Sequence, residues 1–419
     1  MARKRNIIVG QSGGPTSVIN SSLAGVYNNA IERGFNKVYG MLHGIQGLLD
    51  EQYVDLSTQI HSELDIELLK RTPSAFLGSC RYKLPEIHEN KEIFEKVFEI
   101  LNRLEIDSFI YIGGNDSMDT IKKLTDYGII TGQPQKFLGV PKTIDNDLAL
   151  TDHTPGFGSA AKYIGASTKE IIRDALGLTY HKPMITVIEV MGRNAGWLTG
   201  ATALAKTEEC EGPDLIYLPE VDFDLDKCLK KVQTLLTKKD SIVIAVSEGI
   251  KLADGRYVCE LSGGADYVDA FGHRQLQGTA AYLASFFAAE IGCKARSVEF
   301  STLQRSASHL ASRVDIDEAF MVGGAAVKAA DEGDTGKMVV IDRVSEDPYM
   351  SSAGIYDVHR IANEEKLVPR EWMNREADYV TKDFVDYVKP LIQGSYQPIM
   401  VNGLPRHLVL DLKQKKKKR

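Results

Sequence analysis

Apolar residues gather in short runs along this chain: NIIVG at 6–10, SFIYIGG at 108–114, KFLGVPK at 136–142, MITVIEVMG at 184–192 and SIVIAVSEG at 241–249. Each run is too short for an ordinary helix and is closed by glycine or a polar turn, which predicts a buried strand. Between the runs lie longer stretches with apolar residues every three or four positions. After NIIVG, Pro15 and Thr16 open a helix whose inward positions are Ile19, Leu23, Val26, Tyr27 and Ala30, and Gly34 stops it. Further helices are predicted at SMDTIKKLTDYG, SAAKYIGASTKEIIRDAL, DKCLKKVQTLLTKK and QGTAAYLASFFAAEIG. Strands alternating with helices predict an α/β fold of mainly parallel sheets wrapped by helices. Turn formers cluster in DNDLALTDHTPGFGS, so a domain boundary is expected near 145–160.

Composition narrows the function classes. With 419 residues and 43% hydrophobic content, the chain can bury two domains or one large lobed unit. Its longest apolar runs fall short of a membrane span, and MARKRNIIVG is too brief for a secretory signal, so a cytoplasmic location without membrane partners is expected. The cysteines stand singly, with no CxxC pair, and read as reduced packing residues. A net charge of -7 argues against a nucleic-acid partner, and the terminal KQKKKKR reads as a solvated tail.

Three glycine-containing turns follow predicted strands: GQSGGP at 10–15, IGGNDS at 112–117 and VMGRNAG at 190–196. At the carboxyl ends of strands in an open α/β sheet, such turns let backbone N–H groups approach an anion, and phosphate is the natural one. Any one of them could be plain turn geometry; their joint occurrence with PKTIDND is harder to explain that way. A turn needs one Asn or Asp, and a second carboxylate beside it costs repulsion unless a cation relieves it. Lys142 and a divalent ion would do so, leaving Asp145 as a general base and Asp147 to orient or ligate.

SGGPTSVIN, LGSCRYKL, IGGNDS, PKTIDNDL, VIEVMGRNAGWL, VSEGI and LQRSASH occur in the order and rough spacing of the phosphofructokinase family, which the chain resembles over residues 6–330. The resemblance implies a two-lobed fold, each lobe a mainly parallel sheet flanked by helices. Residues 1–145 would form the donor lobe, 146–330 mainly the sugar-phosphate lobe, and 331–419 a C-terminal extension packing on the core, with the chain crossing between lobes. It implies a Mg²⁺-dependent kinase acting on the 1-hydroxyl of fructose 6-phosphate, and a homodimer or homotetramer with Arg305 as a candidate to reach a neighbour's site.

By the same resemblance Asp145 looks like the base, with Thr143 and Asp147 flanking it, and Arg81 like the clamp on the phosphoryl group in flight. Gly14, Gly113, Gly114, Asp116, Ser117 and Lys142 would meet the donor, with Asp116 or Asn115 on the metal. Met191, Gly192, Arg193 and Glu248 would contact the sugar, and Arg305 its 6-phosphate, with His309 or Arg313 sharing that duty. A phosphomonoester dianion suits a forked guanidinium, and sugar hydroxyls suit a carboxylate.

Two positions bear on the donor. The ATP-using branch of the family has glycine where this chain has Asp116 and Lys142. An aspartate there repels and obstructs nucleotide, while the lysine favours a small polyanion, so the resemblance is to the pyrophosphate-dependent branch. The rival expectations are an ATP-dependent enzyme and a non-catalytic sugar-phosphate sensor, the latter disfavoured by the presence of Asp145 and Arg81. Departures from the family pattern are Thr16 in the first turn, Asn115 in the second, QRSASHLASR in place of a QRGG run, and Met184 where the ATP-type sequence has an arginine, for which Lys182 could compensate.

Overall fold

The computed structural model describes residues 5–179, 182–262, 276–361 and 365–412. The basic tail lies outside them. In chain order the strands are β1 (Asn6–Gln11), β2 (Lys37–Met41), β3 (Tyr53–Asp55), β4 (Ile106–Gly113), β5 (Lys136–Pro141), β6 (Met184–Val190) and β7 (Leu215–Tyr217). They continue as β8 (Ser241–Ser247), β9 (Lys294–Glu299), β10 (Lys337–Glu346), β11 (Tyr349–Asp357), β12 (Met400–Val401) and β13 (Leu404–Pro405). The helices are α1 (Ile19–Glu32), α2 (Gly44–Leu49), α3 (Glu63–Arg71), α4 (Lys91–Arg103), α5 (Asn115–Thr131) and α6 (Phe157–Leu178). After them come α7 (Trp197–Gly200), α8 (Leu225–Leu236), α9 (Thr279–Ile291), α10 (Leu303–Ser306), α11 (Arg313–Asp331) and α12 (Lys382–Val388).

Two sheets carry the fold. The larger has the order β11-β10-β5-β4-β1-β2-β3, parallel except at its two edge strands; the smaller, β7-β8-β6-β9, is parallel throughout. Every residue of β1 and of β6 is buried, as expected of inner strands covered on both faces, and this is why they read as unbroken apolar runs. On one face of the larger sheet α1 and α11 supply Ile19, Leu23, Val322 and Val327; on the other, α4 and α5 supply Phe94, Phe98, Met118 and Ile121. The smaller sheet is packed by α6 and α12 through Phe157, Ile164 and Phe384, and elsewhere by α8 and α9 through Val232, Leu283 and Phe287.

The structure refines the helix expected after NIIVG: it starts at Ile19, not at Pro15, so residues 12–18 form a longer turn before it. The larger sheet draws on residues 6–141 and again on 337–357, whereas the smaller draws on 184–299. Residues 337–357 of the segment beyond 330 supply β10 and β11 to the larger sheet. Met184 is buried at the start of β6, paired with Ser241 and Lys294, and Lys182 lies outside that strand. Cys80, Cys210, Cys228 and Cys259 are buried, Cys293 is partly so, and none of the five is in a disulfide. Among the described residues no helix is long and apolar enough to cross a membrane.

Candidate active site

The carboxyl ends of β1, β4 and β5 meet in one place. Ser12 N donates to Ile112 O at 2.9 Å and Lys142 N to Gly113 O at 3.1 Å, so the turns after the three strands continue the ladder. The loop bearing Arg81 is stitched to the same point, with Gly13 N donating to Cys80 O at 3.1 Å and Ser79 Oγ to Gly13 O at 2.6 Å. Cations press against this turn. A Cβ on Gly13 would lie 3.2 Å from Lys142 Nζ, and one on Gly14 would lie 3.1 Å from an Arg305 guanidinium nitrogen. The glycine pair therefore lets two positive groups approach backbone.

Lys142 is buried, and its ammonium donates to Gly14 O at 2.8 Å. Burial pulls its pKa down to about 8, with Arg305 and Arg81 adding to the fall and Asp145 and Asp147 opposing it. Asp145 follows two residues on. Thr143 Oγ1 accepts from Asp145 N at 3.1 Å and donates to the Asp145 carboxylate at 3.4 Å. Burial raises the Asp145 carboxyl above its ordinary value, against the pull of Lys142 and the Thr143 bond. Asp147 is pushed up to about 7 by burial and by the like charge of Asp145.

The smaller sheet faces this cluster with the ends of β6 and β8. Gly192 N donates to the Glu248 carboxylate at 3.4 Å, and burial pushes that carboxyl up to about 8, with Asp145 adding to the rise. Arg305 is held below its usual pKa by burial and by Arg81, while Asp145 and Glu248 pull the other way. Carboxylates and guanidiniums from both sheets thus sense one another across a single cavity of about 270 Å³. Perturbed groups converging in a cleft are a physical signature of a functional site.

Of the residues singled out in the sequence, Gly14, Arg81, Lys142, Thr143, Asp145, Asp147, Met191, Arg193, Glu248 and Arg305 all line this cavity. Gly113, Gly114, Asp116 and Ser117 do not; they form the junction between β4 and the first turn of α5, adjoining Lys142. A Cβ on Gly113 would overlap Ser117 Oγ at 1.9 Å, so that glycine serves the tight strand-to-helix junction. Gly192 is buried behind the lining, tied to Glu248. His309 is exposed in the turn after α10, and Arg313 is exposed at the start of α11, packed on Gly394; neither lines the cavity. Arg305 lines the cavity of its own chain.

Sequence reasoning missed Asn194 and Glu365, which join the lining and each other, Asn194 Nδ2 donating to Glu365 Oε1 at 3.0 Å. Asn194 sits inside the VMGRNAG turn, where it could have been named; Glu365 lies in a plain acidic stretch with no local signal. Two roomier hollows, of about 1190 and 860 Å³, flank Asp214 and Tyr379. Their size does not make them the reaction site, because Lys239–Asp214, Lys169–Glu209 and Lys231–Asp378 neutralise one another there.

Among the described residues no group of three or more His, Cys, Asp or Glu side chains is arranged to hold a metal ion by itself. Asn115 Oδ1 is buried with no hydrogen-bond partner, next to Asp116 in the first turn of α5. Such oxygens suit an ion that arrives with a polyphosphate, since Mg²⁺ commonly takes one or two protein ligands and completes its shell with phosphate and water.

The family model for phosphofructokinase matches residues 6–330. The chain belongs to the phosphofructokinase family. It is 40% identical over 405 residues to the pyrophosphate–fructose 6-phosphate 1-phosphotransferase of Halomonas elongata, covering 96% of this chain and 95% of that one. Its fold is similar to the crystal structure of a pyrophosphate-dependent phosphofructokinase from Nitrosospira multiformis, with a TM-score of 0.87, 36% identity, and coverage of 96% of this chain and 95% of that chain. It is also 31% identical over 331 residues to an ATP-dependent 6-phosphofructokinase of Streptomyces coelicolor, covering 79% of this chain and 88% of the relative. Phosphofructokinases therefore differ in donor, and the donor must be argued from residues.

Proposed function

We propose that this phosphofructokinase transfers a phosphoryl group from pyrophosphate to the 1-hydroxyl of fructose 6-phosphate, giving fructose 1,6-bisphosphate and phosphate. The observation that carries the reading is Lys142, a buried ammonium bonded to the Gly14 carbonyl and set between the first glycine turn and the Asp145–Asp147 pair. The Lys142 side chain occupies space beside this turn that the rest of a nucleotide would need, whereas pyrophosphate, a small polyanion with nothing beyond its two phosphates, gains from the charge without needing that room. Asp116 works in the same sense, placing a negative side chain at the head of α5. Relatives of the same name over nearly the full length support this donor.

In this reading Asp145 accepts the proton as the sugar oxygen attacks in line, and Thr143 fixes its carboxylate. Lys142 and Arg81 neutralise charge gathering on the transferred group. Arg305, set between Gly14 and the carboxylates, brings charge to the phosphoryl groups on either side of the cavity, while Met191, Arg193 and Glu248 hold the sugar. A magnesium ion bound with pyrophosphate would neutralise further charge, and Asp116 and Asn115 Oδ1 are the oxygens that would hold it.

Because a phosphoanhydride of inorganic phosphate is spent rather than a nucleotide, the step is expected to run readily in both directions. Coupled assay with fructose 1,6-bisphosphate and phosphate should show pyrophosphate formation at a rate within about tenfold of the forward rate. Negligible phosphate-dependent breakdown of the bisphosphate would contradict the reading.

A further inference from the structure

The turn that carries Asp145 and Asp147 is held from a part of the chain outside the residues that match the family model. Between the two aspartates stands Asn146, with no exposed surface and a backbone φ of 54°, in the left-handed region that few residues other than glycine occupy. That backbone turn puts Asp145 and Asp147 on the cavity side. It persists because both polar atoms of the Asn146 side chain are anchored: Oδ1 accepts from Thr154 N at 3.2 Å, and Nδ2 donates to the Tyr387 hydroxyl at 2.9 Å.

Tyr387 belongs to α12, and its hydroxyl is itself fixed. It donates to Asp152 O at 2.6 Å and accepts from Lys366 Nζ at 3.2 Å. Lys366 N in turn donates to Asp147 O at 2.8 Å, so both halves of the turn are tied to residues 366–387. The tyrosine ring lies 5.3 Å from the Trp197 ring and 5.2 Å from the Trp372 ring, with the Arg343 guanidinium 4.7 Å from its centroid. Arg343 also bonds the Asp152 carboxylate at 3.0 Å. That carboxylate and Glu318 hold the buried His153, each at 2.7 Å, and close the far side of the network. Every group around the tyrosine hydroxyl is therefore immobilised by a second contact.

We propose that Tyr387 is a positioning residue for Asp145: its hydroxyl, acting through Asn146, keeps the turn in the left-handed conformation that aims the carboxylate at the sugar hydroxyl. This rests on the reading of Asp145 as the base. It makes the segment beyond residue 330 part of the catalytic apparatus without contact to either substrate.

The test uses the full chain with magnesium, pyrophosphate and fructose 6-phosphate. Tyr387→Phe keeps the ring and its stacking but removes the hydroxyl. Its kcat should fall about 10- to 100-fold, the scale expected when a catalytic group is displaced by about an ångström, with KM for each substrate within about threefold of wild type. Asn146→Gly adopts the positive φ without strain yet loses both anchors, and should show the same loss in kcat. The Tyr387→Phe/Asp145→Asn double variant should be no slower than Asp145→Asn alone, because the hydroxyl acts only through that carboxylate. A Tyr387→Phe enzyme with lowered Tm but kcat within about twofold of wild type would overturn the proposal, as would a full additional loss in the double variant. Asp145→Asn as fast as wild type would overturn the functional reading and the proposal with it; slow Asp145→Asn beside fast Tyr387→Phe overturns the proposal alone.

Discussion

Asp145→Asn is expected to lower kcat by about 10²- to 10⁴-fold, the range typical of losing a general base, with KM for both substrates nearly unchanged. The amide keeps the shape of the side chain and can still bond Thr143, but it cannot accept the proton of the sugar hydroxyl. Burial holds the Asp145 carboxyl above the ordinary carboxylate range, and Lys142 pulls it back down. The working state is the ionised one. The rate should therefore fall as pH drops through that raised pKa, and this acid limb should be absent from what activity Asp145→Asn retains. Steady-state kinetics of both proteins from pH 5 to 9 checks the claim; a variant within tenfold of wild type would remove Asp145 from the chemistry.

Lys142→Met carries the second largest expected effect. Methionine fills much the same volume without charge, so the floor of the cavity stays packed while the transferred phosphoryl group loses a fixed cation. Removing one preorganised donor to a developing oxyanion costs about 10²- to 10³-fold in kcat, and a similar loss is expected here with pyrophosphate. The pH dependence gives an independent check. Burial lowers the Lys142 pKa to about 8, so in the free enzyme the ammonium is charged below that pH and neutral above it. The kcat/KM of wild type should decline as pH rises through about 8. Bound pyrophosphate stabilises the charged form, so the corresponding limb of kcat should lie higher. Lys142→Met should lose the alkaline limb, and because Asp145 then lacks its main counter-charge, its acid limb should move to higher pH. An alkaline limb that persists in the variant would assign it to another group.

The parts of the fold legible in the sequence were those where one element is buried on all sides. β1, β4, β5, β6 and β8 are inner strands, and their apolar runs stand out for that reason. β9 is an edge strand with mixed burial, and KARSVE has neither an apolar run nor a clean alternation to betray it. β10 and β11 were invisible as members of the larger sheet because strand neighbours distant in sequence are set by tertiary packing. The cavity was legible where chemistry is concentrated in short motifs at strand ends, as with Lys142, Thr143, Asp145 and Asp147, or Arg193 and Glu248. Glu365 and Tyr387 were not, since a lone acid and a helical tyrosine acquire their roles only when the segment beyond 330 folds back onto the turn. His309 and Arg313 look like phosphate ligands in the string QRSASHLASR, yet the helix break after Ser306 turns both away from the lining.

At Gly13 and Gly14 the space beside the backbone is taken by Lys142 and Arg305, and the ammonium is already bonded to the turn. Replacing Asp116 and Lys142 together by glycine restores the residues of the ATP-using pattern without touching Asp145.

The most direct measurement is the initial rate of fructose 6-phosphate phosphorylation by the wild-type chain with magnesium and either pyrophosphate or ATP at equal concentration. Rapid turnover is expected with pyrophosphate and a rate at least about 10²-fold lower with ATP; equal or faster turnover with ATP would overturn the assignment of pyrophosphate as donor.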